Sequence, residues 1–369
     1  MYSTFFWGKH KMDIKLYHDS FLQFGGAERA PIIWASSFGR KVTCFGLEPK
    51  LFSNNLDVIE PILKELRKPS TLVMLFPFVP VIYLFLTRKQ NMVSEIALVS
   101  SSGLAHYFTI RANLKVLYLN TPTRWIWKKT DFEKNQPIRL KLICTTLRPI
   151  YKYLDKRNVR KFDIVISNST NVQKQIKNIY NINSMVVYPP VKKNNEKETA
   201  LENKLLSNEY FLIVARNRGY KFNNQLLALS KLVDKQIVLC GEGTEKISGI
   251  NLLGLGFVSQ SNLNWLYQHA KCLIGLAEED FGLTPVEAAI FGCPTIAFDQ
   301  GGYSETIMHG INGWLVSKNG INEMADMLNS IHRKNFDRNE IIESANRFSD
   351  EKHLSEIKRL IRLNNTQFC

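Results

Sequence analysis

The chain has 369 residues, 45% hydrophobic and 22% charged, a composition typical of a soluble globular protein and not of a low-complexity chain. This length favours two domains over one. Its 48 Lys and Arg residues outnumber its 33 Asp and Glu residues, and the net charge of +15 indicates an anionic partner: a nucleic acid, an acidic membrane surface or a phosphorylated substrate. The six cysteines are scattered without CxxC spacing, which argues against a metal site or a disulfide framework and favours a reducing compartment.

The first half of the chain alternates predicted strands and helices. Apolar runs predict strands at residues 14–18, 41–47, 96–101, 115–119, 162–167 and 185–188. Helices are expected to open within 24–30 and run to about 38, to occupy part of 56–69, and to lie at 72–88, within 128–160 and at 171–180. Asn168, Ser169 and Thr170 form the expected cap of the last helix. Residues 1–11 show no signal-peptide cleavage site and are interpreted as a leader or as sequence upstream of a start at Met12.

Two apolar stretches in this half raise the question of whether the protein contacts or spans a membrane. The run at 71–86 is shorter than the ~20 residues that a spanning helix needs and contains two prolines, so it predicts a buried or interfacial helix. The basic segment 128–160 repeats apolar residues every three or four positions, at Leu140, Ile143, Leu147, Ile150 and Leu154. That face either lies on an anionic membrane or packs inside the protein with a solvated basic face outward, and the second interpretation is favoured.

The second half repeats the alternation after a polar linker at 191–207. Strands are predicted at 210–215, 236–240, 252–255 and 272–276, and helices at 223–233, 261–270, 285–291, 321–332, 340–348 and 350–363. In the helix at 285–291, Thr284 is expected as the N-cap, Pro285 in the first turn and Gly292 as the left-handed end. Ser304 is expected to cap a further helix, and Asn312-Gly313 to form a hairpin or a turn.

The segment after the strand at 272–276 is the most informative part of the chain. It reads GLAEEDFGLTPVEAAIFGCPTIAFDQGGYSE and predicts a strand, a glycine-containing loop and a helix whose exposed N–H groups suit an anion. Glu279 lies in the loop and Glu287 is expected in the first helical turn. Because carboxylates repel phosphate, their expected role is to accept hydrogen bonds from the hydroxyls of a sugar or ribose.

Two other loops follow predicted strands. Arg216 and Lys221 come after the strand at 210–215, where two fixed cations can neutralise a pyrophosphate. Gly25 and Gly26 follow the first strand and allow close approach of a ligand to the backbone, with Glu28 at the mouth of that loop.

The motifs EEDFGLTPVEA, GCPTIAF and GGYSE, together with FGGAER near the start, resemble the retaining nucleotide-sugar glycosyltransferases of family four. The alternating elements already indicate two doubly wound α/β domains, and the resemblance implies the GT-B fold, in which two Rossmann-like domains face each other across a cleft. It implies an acceptor-side domain at 1–190, a linker at 191–207, a nucleotide-sugar-binding domain at 208–348, and a final helix at 349–369 that returns to the first domain.

The resemblance also implies roles for individual residues. It implies that Arg216, Lys221 and Glu279 are catalytic residues. The donor-binding residues are Gly25, Gly26, Phe281, Gly282, Leu283, Thr284, Glu287, Gly256, Phe257 and Val258, and the acceptor-side candidates are Glu28, Asn120, Arg124 and Trp125. Many relatives have a histidine where this chain has Asn120, so the role of that histidine is not transferred. No metal and no cofactor are expected.

The function implied is retaining transfer of a hexose, with mannose favoured, to a hydroxyl of a lipid-linked glycan during synthesis of a surface polysaccharide such as O-antigen or capsule. GDP-mannose is the favoured donor and a UDP-sugar the alternative, and the expected location is the cytoplasmic face of the cell membrane, against its anionic surface. The alternatives are a sugar phosphorylase or epimerase of the same fold, a nucleic-acid-binding protein suggested by the charge, and an inactive scaffold. No nucleic-acid-binding motif appears, so a nucleic-acid partner is not expected.

Overall fold

A computed structural model describes residues 6–7, 10–23, 25–63, 79–88, 92–128, 138–192, 197–201, 209–216, 224–332 and 336–365. Contacts divide the chain into two compact units. The first unit comprises Met1–Pro190 and Asp350–Cys369, and the second comprises Val191–Ser349. Each unit has its own sheet and its own buried core.

The first unit is built on a parallel sheet of seven strands. Its strands are β3 (Ile14–His18), β4 (Val42–Cys44), β5 (Ile59–Pro61), β6 (Val93–Ser101), β7 (Arg111–Leu119), β8 (Ile164–Ser167) and β9 (Met185–Val186), after a short antiparallel pair of β1 (Phe6–Trp7) and β2 (His10–Lys11). The order β5-β4-β3-β6-β7-β8-β9 places β3, β6 and β7 at the centre, where β3, the second half of β6 and the last four residues of β7 are largely buried. Buried on both faces, such strands read in sequence as continuous apolar runs.

Helices cover both faces of this sheet. They are α1 (Arg29–Phe38), α2 (Val79–Arg88), α3 (Arg124–Trp127), α4 (Ile138–Val159) and α5 (Thr170–Tyr180), with 3₁₀ turns at Pro49–Leu51, Ser53–Val58 and Ala105–Tyr107. Helix α12 (Asp350–Asn365), from the end of the chain, packs on the same face as α1 through Ile357, Leu360 and Ile361. Among the described residues, no helix combines the length and apolar character that crossing a bilayer requires.

The second unit contains another seven-stranded sheet in the order β12-β13-β11-β10-β14-β15-β16. Its strands are β10 (Tyr210–Val214), β11 (Gln236–Cys240), β12 (Ser248–Gly249), β13 (Leu252–Gly256), β14 (Cys272–Gly275), β15 (Thr295–Phe298) and β16 (Gly313–Val316), and only β12 among them is antiparallel. Its helices are α6 (Asn224–Leu232), α7 (Gln260–His269), α8 (Leu283–Ile290), α9 (Tyr303–Thr306), α10 (Ile321–Ser330) and α11 (Arg338–Ala345), with 3₁₀ turns at Thr244–Lys246 and Asn346–Phe348.

Several local predictions meet a direct structural test. Ser169 caps α5, since its hydroxyl accepts a hydrogen bond from the Val172 amide at 3.0 Å, and this prediction is confirmed. Gly292 lies in the left-handed region with φ 65° directly after α8, as predicted. A hairpin at Asn312 is wrong, because β16 begins at Gly313 and runs parallel to β15. The Asn312 amide instead fixes a turn by donating to the Thr306 carbonyl and the Ser344 hydroxyl.

Other predictions fail for identifiable reasons. Thr284 is not the N-cap of α8, because Gly282, with φ 86°, brings the chain into the helix two residues earlier. Ser304 lies inside α9, whose N-cap is Gly302 and shows no side-chain cap bond. Within 56–69 the short helix that was expected is present only as the end of the 3₁₀ turn Ser53–Val58, and the strand β5 follows it, while 64–78 lie outside the described residues together with much of the predicted helix at 72–88.

A buried histidine fastens α12 to the first unit. The Nε2 atom of His353 accepts a hydrogen bond from the Trp34 indole at 2.9 Å, and its Nδ1 atom donates to the Tyr188 carbonyl at 2.7 Å. These two bonds require the neutral imidazole. Burial lowers the pKa of His353 to about 4, although the bond to the Tyr188 carbonyl acts in the opposite direction.

We therefore expect acid to loosen the first unit through His353. Its folded pKa lies below its unfolded value, so its contribution is complete above about pH 6.5 and is lost as the pH falls toward 4, by an amount on the order of 3 kcal/mol. Urea unfolding followed by tryptophan fluorescence at several pH values should show this loss in the wild type and a smaller loss in His353→Gln. The exposed control His309→Gln should follow the wild type, and an unchanged pH dependence in His353→Gln would contradict the assignment.

Candidate functional site

The loop between β14 and α8 carries the two predicted glutamates. β14 is fully buried and ends at Gly275, and the loop then exposes Glu278 before α8 starts behind Gly282. Glu279 lies in this loop. Glu287 is the fifth residue of α8, so it lies just beyond the first turn in which it was expected. Its carboxylate accepts a hydrogen bond from the Tyr267 hydroxyl of α7 at 2.9 Å, which fixes the direction of that side chain.

The loop between β15 and α9 contacts and stabilises the loop between β14 and α8, which is the glutamate loop. The Gly302 amide donates to the Glu279 carbonyl at 2.8 Å, and the Gln300 side chain donates to the Leu276 carbonyl at 2.9 Å. A Cβ atom at Gly301 would lie 2.2 Å from the Glu279 carbonyl oxygen, so the two backbones touch and no side chain fits between them. The loop after β15 is therefore the support on which the glutamate loop rests.

The ring of Tyr303 packs against Gly275 and Gly282, one near each end of the glutamate loop. Its ring lies 2.9 Å from a Cβ built at Gly275 and 2.8 Å from one built at Gly282, so both glycines make room for it. Burial, reinforced by the nearby charge of Glu279, raises the pKa of the Tyr303 hydroxyl well above its ordinary value. Tyr303 therefore stays neutral near Glu279, and its ring fills the space that the two glycines leave.

Not every predicted residue of this loop presents its side chain outward. Phe281 is buried and packs edge-on against Phe348 at 5.3 Å between ring centroids, so any ligand contact from Phe281 would come from its backbone. Leu283 and Thr284 form the first two positions of α8, where backbone N–H groups have no partner within the helix. This helix start is the local source of positive potential beside the two carboxylates.

The remaining predicted donor residues lie along the same edge of the second sheet. Arg216 follows β10, and the neighbouring Ala215 amide donates to the Cys240 carbonyl at the end of β11 at 2.8 Å. Gly256 ends β13, where its amide donates to the Thr244 hydroxyl at 2.9 Å. Phe257 beyond it is 78% exposed, a free aromatic face, and Val258 is half-buried.

Parallel pairing brings these positions to one side. Because β10, β11, β13 and β14 all run parallel, the residues that follow them share the carboxyl edge of the sheet. In open α/β sheets this is the edge at which ligands bind. Lys221 lies outside the described residues, so Arg216 is the predicted cation that the structure describes at this edge.

The predicted acceptor-side residues, and the predicted donor-binding residues Gly25 and Gly26, lie in the first unit, also near the carboxyl ends of strands. Gly25 and Gly26 are half-buried in the loop after β3, and Glu28 is buried at the N-cap position of α1, without a side-chain cap bond. At the end of β7, the Asn120 amide donates to the Ser100 hydroxyl at 3.1 Å. The next two candidates are in α3, where Arg124 is half-buried and Trp125 is buried against Tyr151 at 5.0 Å between centroids.

Sequence reasoning missed three side chains that shape these edges. Tyr267 and Tyr303 support Glu287 and Glu279, and Asp19 organises the loop after β6. The Asp19 carboxylate accepts hydrogen bonds from the amides of Ser102, Leu104 and Ala105. Asp19 directly follows a strand, a placement that was available in the sequence, whereas nothing in the sequence links Tyr267 to Glu287. Within the described residues, no group of three or more His, Cys, Asp or Glu side chains is placed to hold a metal ion.

Comparison with known proteins agrees with this geometry. Residues 194–348 match the family model of the glycosyl transferases group 1, which covers the second unit. The structure of HepE from Anabaena, solved with UDP and glucose, superposes with a TM-score of 0.67 at 16% identity over 95% of this chain and 99% of HepE. The likeness confirms the predicted GT-B fold, and the family match shows that residues 194–348 are similar to the glycosyl transferases group 1.

Two curated relatives match shorter stretches. A 41.2 kDa uncharacterized protein from the cps region of Klebsiella pneumoniae is 25% identical over 204 residues, which is 50% of this chain and 56% of that protein. The alpha-1,3/1,6-mannosyltransferase alg-2 of Neurospora crassa is 36% identical over 67 residues, which is 18% of this chain and 14% of that enzyme. The chain thus spans about half the length of the first relative and a small part of the second.

The contact between the two loops of the second unit can be tested by a pair of matched substitutions. Gly301 and Gly310 both have positive φ, 62° and 80°, but only Gly301 has backbone where a Cβ would go, while Gly310 faces open space. We expect Gly310→Ala to cost about 1–2 kcal/mol of stability through φ alone. Gly301→Ala should cost clearly more, since it also displaces the glutamate loop. Thermal unfolding of the two variants compares them, and equal losses would show that the close approach contributes nothing.

Proposed function

We propose that this protein transfers a hexose, with retained anomeric configuration, from a nucleoside-diphosphate sugar to a hydroxyl of a lipid-linked glycan during surface-polysaccharide synthesis. The observation that carries the proposal is that Arg216 and Glu279 follow two neighbouring parallel strands, β10 and β14, at one edge of the sheet, and that Glu287 lies in the helix that starts from the same loop as Glu279. That sheet lies in the region that matches the glycosyl transferases group 1. The positions therefore have both the chemistry and the fold context of a sugar-nucleotide site.

In the proposed site the diphosphate lies against the start of α8. The free N–H groups of Leu283 and Thr284 and the guanidinium of Arg216, with Lys221, would stabilise the negative charge that develops on the leaving diphosphate. This preorganised stabilisation is the main catalytic contribution that we assign. No carboxylate is assigned as a nucleophile, so the reaction proposed here does not proceed through a glycosyl-enzyme of the glycosidase type.

The carboxylates then serve the hydroxyls on either side of the diphosphate. Glu279 would accept hydrogen bonds from the transferred sugar, and Glu287, held by Tyr267, would accept them from the ribose. A carboxylate that is already oriented loses less freedom on binding than a free one. The loop Gly256–Phe257–Val258 would line the nucleobase, with the exposed Phe257 ring as a stacking surface.

We propose GDP-mannose as the donor, with a UDP-sugar as the alternative. The mannosyltransferase relative supports mannose, and HepE, a structural neighbour solved with UDP, supports the alternative. The relative from a cps region supports a polysaccharide product. Glu28, Asn120, Arg124 and Trp125 in the first unit are the proposed acceptor-side residues, and Gly25 and Gly26 remain proposed donor-binding residues. We propose that the protein works as a peripheral protein at the inner face of the cell membrane.

A thermal-shift panel of GDP-mannose, UDP-glucose and ADP-glucose tests donor binding. A ligand that binds the native state at about a hundred times its Kd adds roughly 2.7 kcal/mol to stability and raises Tm. We expect one sugar nucleotide to raise the Tm of the wild type, and Glu287→Gln and Arg216→Gln to reduce that increase strongly. Glu343→Gln, an exposed carboxylate of α11, is the control for Glu287→Gln and should respond like the wild type.

The site assignment would be contradicted if the sugar nucleotide raised the Tm of both Glu287→Gln and Arg216→Gln as much as that of the wild type. Turnover is measured with the nucleotide that binds and a lipid-linked glycan extract as acceptor, with the configuration of the new linkage read by NMR. Transfer to inorganic phosphate in place of the glycan would favour the phosphorylase of the same fold over the transferase.

A further inference from the structure

Helix α4 has one face that is fixed inside the protein. Cys144, Arg148, Tyr151 and Asp155 recur every three or four residues and are all buried. The apolar face predicted from the sequence is therefore not the buried one: Ile143 and Ile150 point to solvent, Leu147 and Leu154 are half-buried, and the side chain of Leu140 is outside the description.

A buried carboxylate sets the rotation of this helix. The two oxygens of Asp155 accept hydrogen bonds from four side chains that belong to three other parts of the first unit, at 2.7–2.9 Å: Trp127, Tyr180, Thr123 and His106. Burial alone would raise the pKa of Asp155, but the imidazole and these hydrogen bonds outweigh it and lower the pKa. Rotating α4 by half a turn about its axis would separate the Asp155 carboxylate from its hydrogen-bond partners. The helix therefore cannot bury its outer face instead.

The outer face of α4 is apolar where a surface helix is normally polar. Its exposed side chains, with their exposed fractions, are Ile138 (74%), Leu142 (67%), Tyr153 (65%), Ile150 (57%) and Ile143 (41%). Spacings of four between Ile138 and Leu142 and of three between Ile150 and Tyr153 keep them on adjoining turns. An exposed apolar stripe of this length marks an interaction surface.

The charges around that stripe all have one sign. Lys141, Lys152, Lys156 and Arg157 lie on the helix, and the chain continues with Arg160 and Lys161. The only acidic residue of α4 is Asp155, which is buried and accepts hydrogen bonds inside the protein. The outer face therefore presents an apolar centre with a basic border and no carboxylate from the helix.

A neighbouring helix adds to the same surface. The core that lies under α4 at Leu154 also contains Tyr83 of α2, so both helices cover the same face of the sheet. α2 exposes Phe85 and Val81, four residues apart, on its outer side. The apolar area is thus carried by two helices and is not confined to a single one.

We infer that the outer face of α4, together with Phe85 and Val81 of α2, is a docking surface for an anionic lipid bilayer. Apolar side chains would enter the region of the head groups, and the basic border would bind lipid phosphates. A second copy of the chain would bring an equally basic face against this one and be repelled. A nucleic acid would leave the apolar centre exposed to water. The surface thus deepens the proposed function by naming the partner that presents a lipid-linked acceptor, and it rests on that function only for the acceptor.

The test is co-sedimentation of the full chain with lipid vesicles. One set contains phosphatidylcholine alone, and the other contains equal parts of phosphatidylcholine and phosphatidylglycerol. We expect binding to the second set only, weakened by salt. Leu142→Gln with Ile150→Gln should lower the partition coefficient by about tenfold or more. Lys141→Glu with Arg157→Glu should lower it by a comparable factor, since each basic residue near the surface contributes to binding.

Matched controls separate this face from general charge and hydrophobicity. Leu227→Gln with Ile250→Gln changes two exposed apolar residues of the second unit, 52% and 68% exposed. Lys41→Glu with Lys50→Glu makes the same change in net charge at exposed positions away from α4. Both controls should bind vesicles within twofold of the wild type, and circular dichroism should show all four variants folded.

Three results would overturn the inference. They are absence of binding to the anionic vesicles, wild-type binding by Leu142→Gln with Ile150→Gln, and equal losses in the variants and their controls. Dimers in sedimentation equilibrium that disappear in the same variant would assign the face to a second copy instead. Glu287→Gln should bind vesicles normally, so this inference and the donor site can fail separately.

Discussion

The second unit depends on one contact between two stretches of backbone. The loop after β14 would be an unsupported seven-residue segment if the loop after β15 did not lie directly against it. Because Gly301 has no Cβ atom, the two backbone segments can touch. The Gly302 amide then donates a hydrogen bond to the Glu279 carbonyl. Two loops meet in this way because β14 and β15 are adjacent parallel strands, whose ends lie side by side.

This contact explains the order of residues around the proposed donor site. Once the loop is held, the start of α8 has a fixed direction, and Arg216 follows β10, the strand that pairs with β14 at the same edge of the sheet. Tyr303 below and Tyr267 beside the helix then restrict the two glutamates. The site is thus positioned by groups that need not touch a ligand, which is how preorganisation reduces the entropy lost on binding.

The sequence allowed part of this to be predicted, and the limits follow from distance along the chain. Parallel sheets, the Ser169 cap and the left-handed Gly292 are set by local composition, and they were readable. The observed start of α8 lies two residues before the predicted one because a left-handed Gly282 competes with Thr284 as the N-cap, and propensity does not reveal which one the chain uses. Tyr267 and the rotation of α4 depend on partners far away in sequence, so helical periodicity selected the wrong face of that helix.

The two units divide the proposed work between them. In the proposed function the second unit would bind the sugar nucleotide, and the first would contribute the acceptor-side loops and the basic, apolar face of α4. Asp155 links structure to function there, because the charge that holds the inner face of α4 also forces hydrophobic side chains outward. As a result, α4 exposes an apolar stripe to solvent, which a partner surface would cover.

Hydrogen–deuterium exchange with and without the best-binding sugar nucleotide tests the central claim most directly, because it locates the ligand without presuming the reaction. The account predicts slower exchange in peptides covering residues 212–216, 254–258 and 279–287, and unchanged exchange in the peptide covering 41–59 of the first unit. Protection confined to other peptides, with residues 279–287 exchanging as in the free protein, would contradict it.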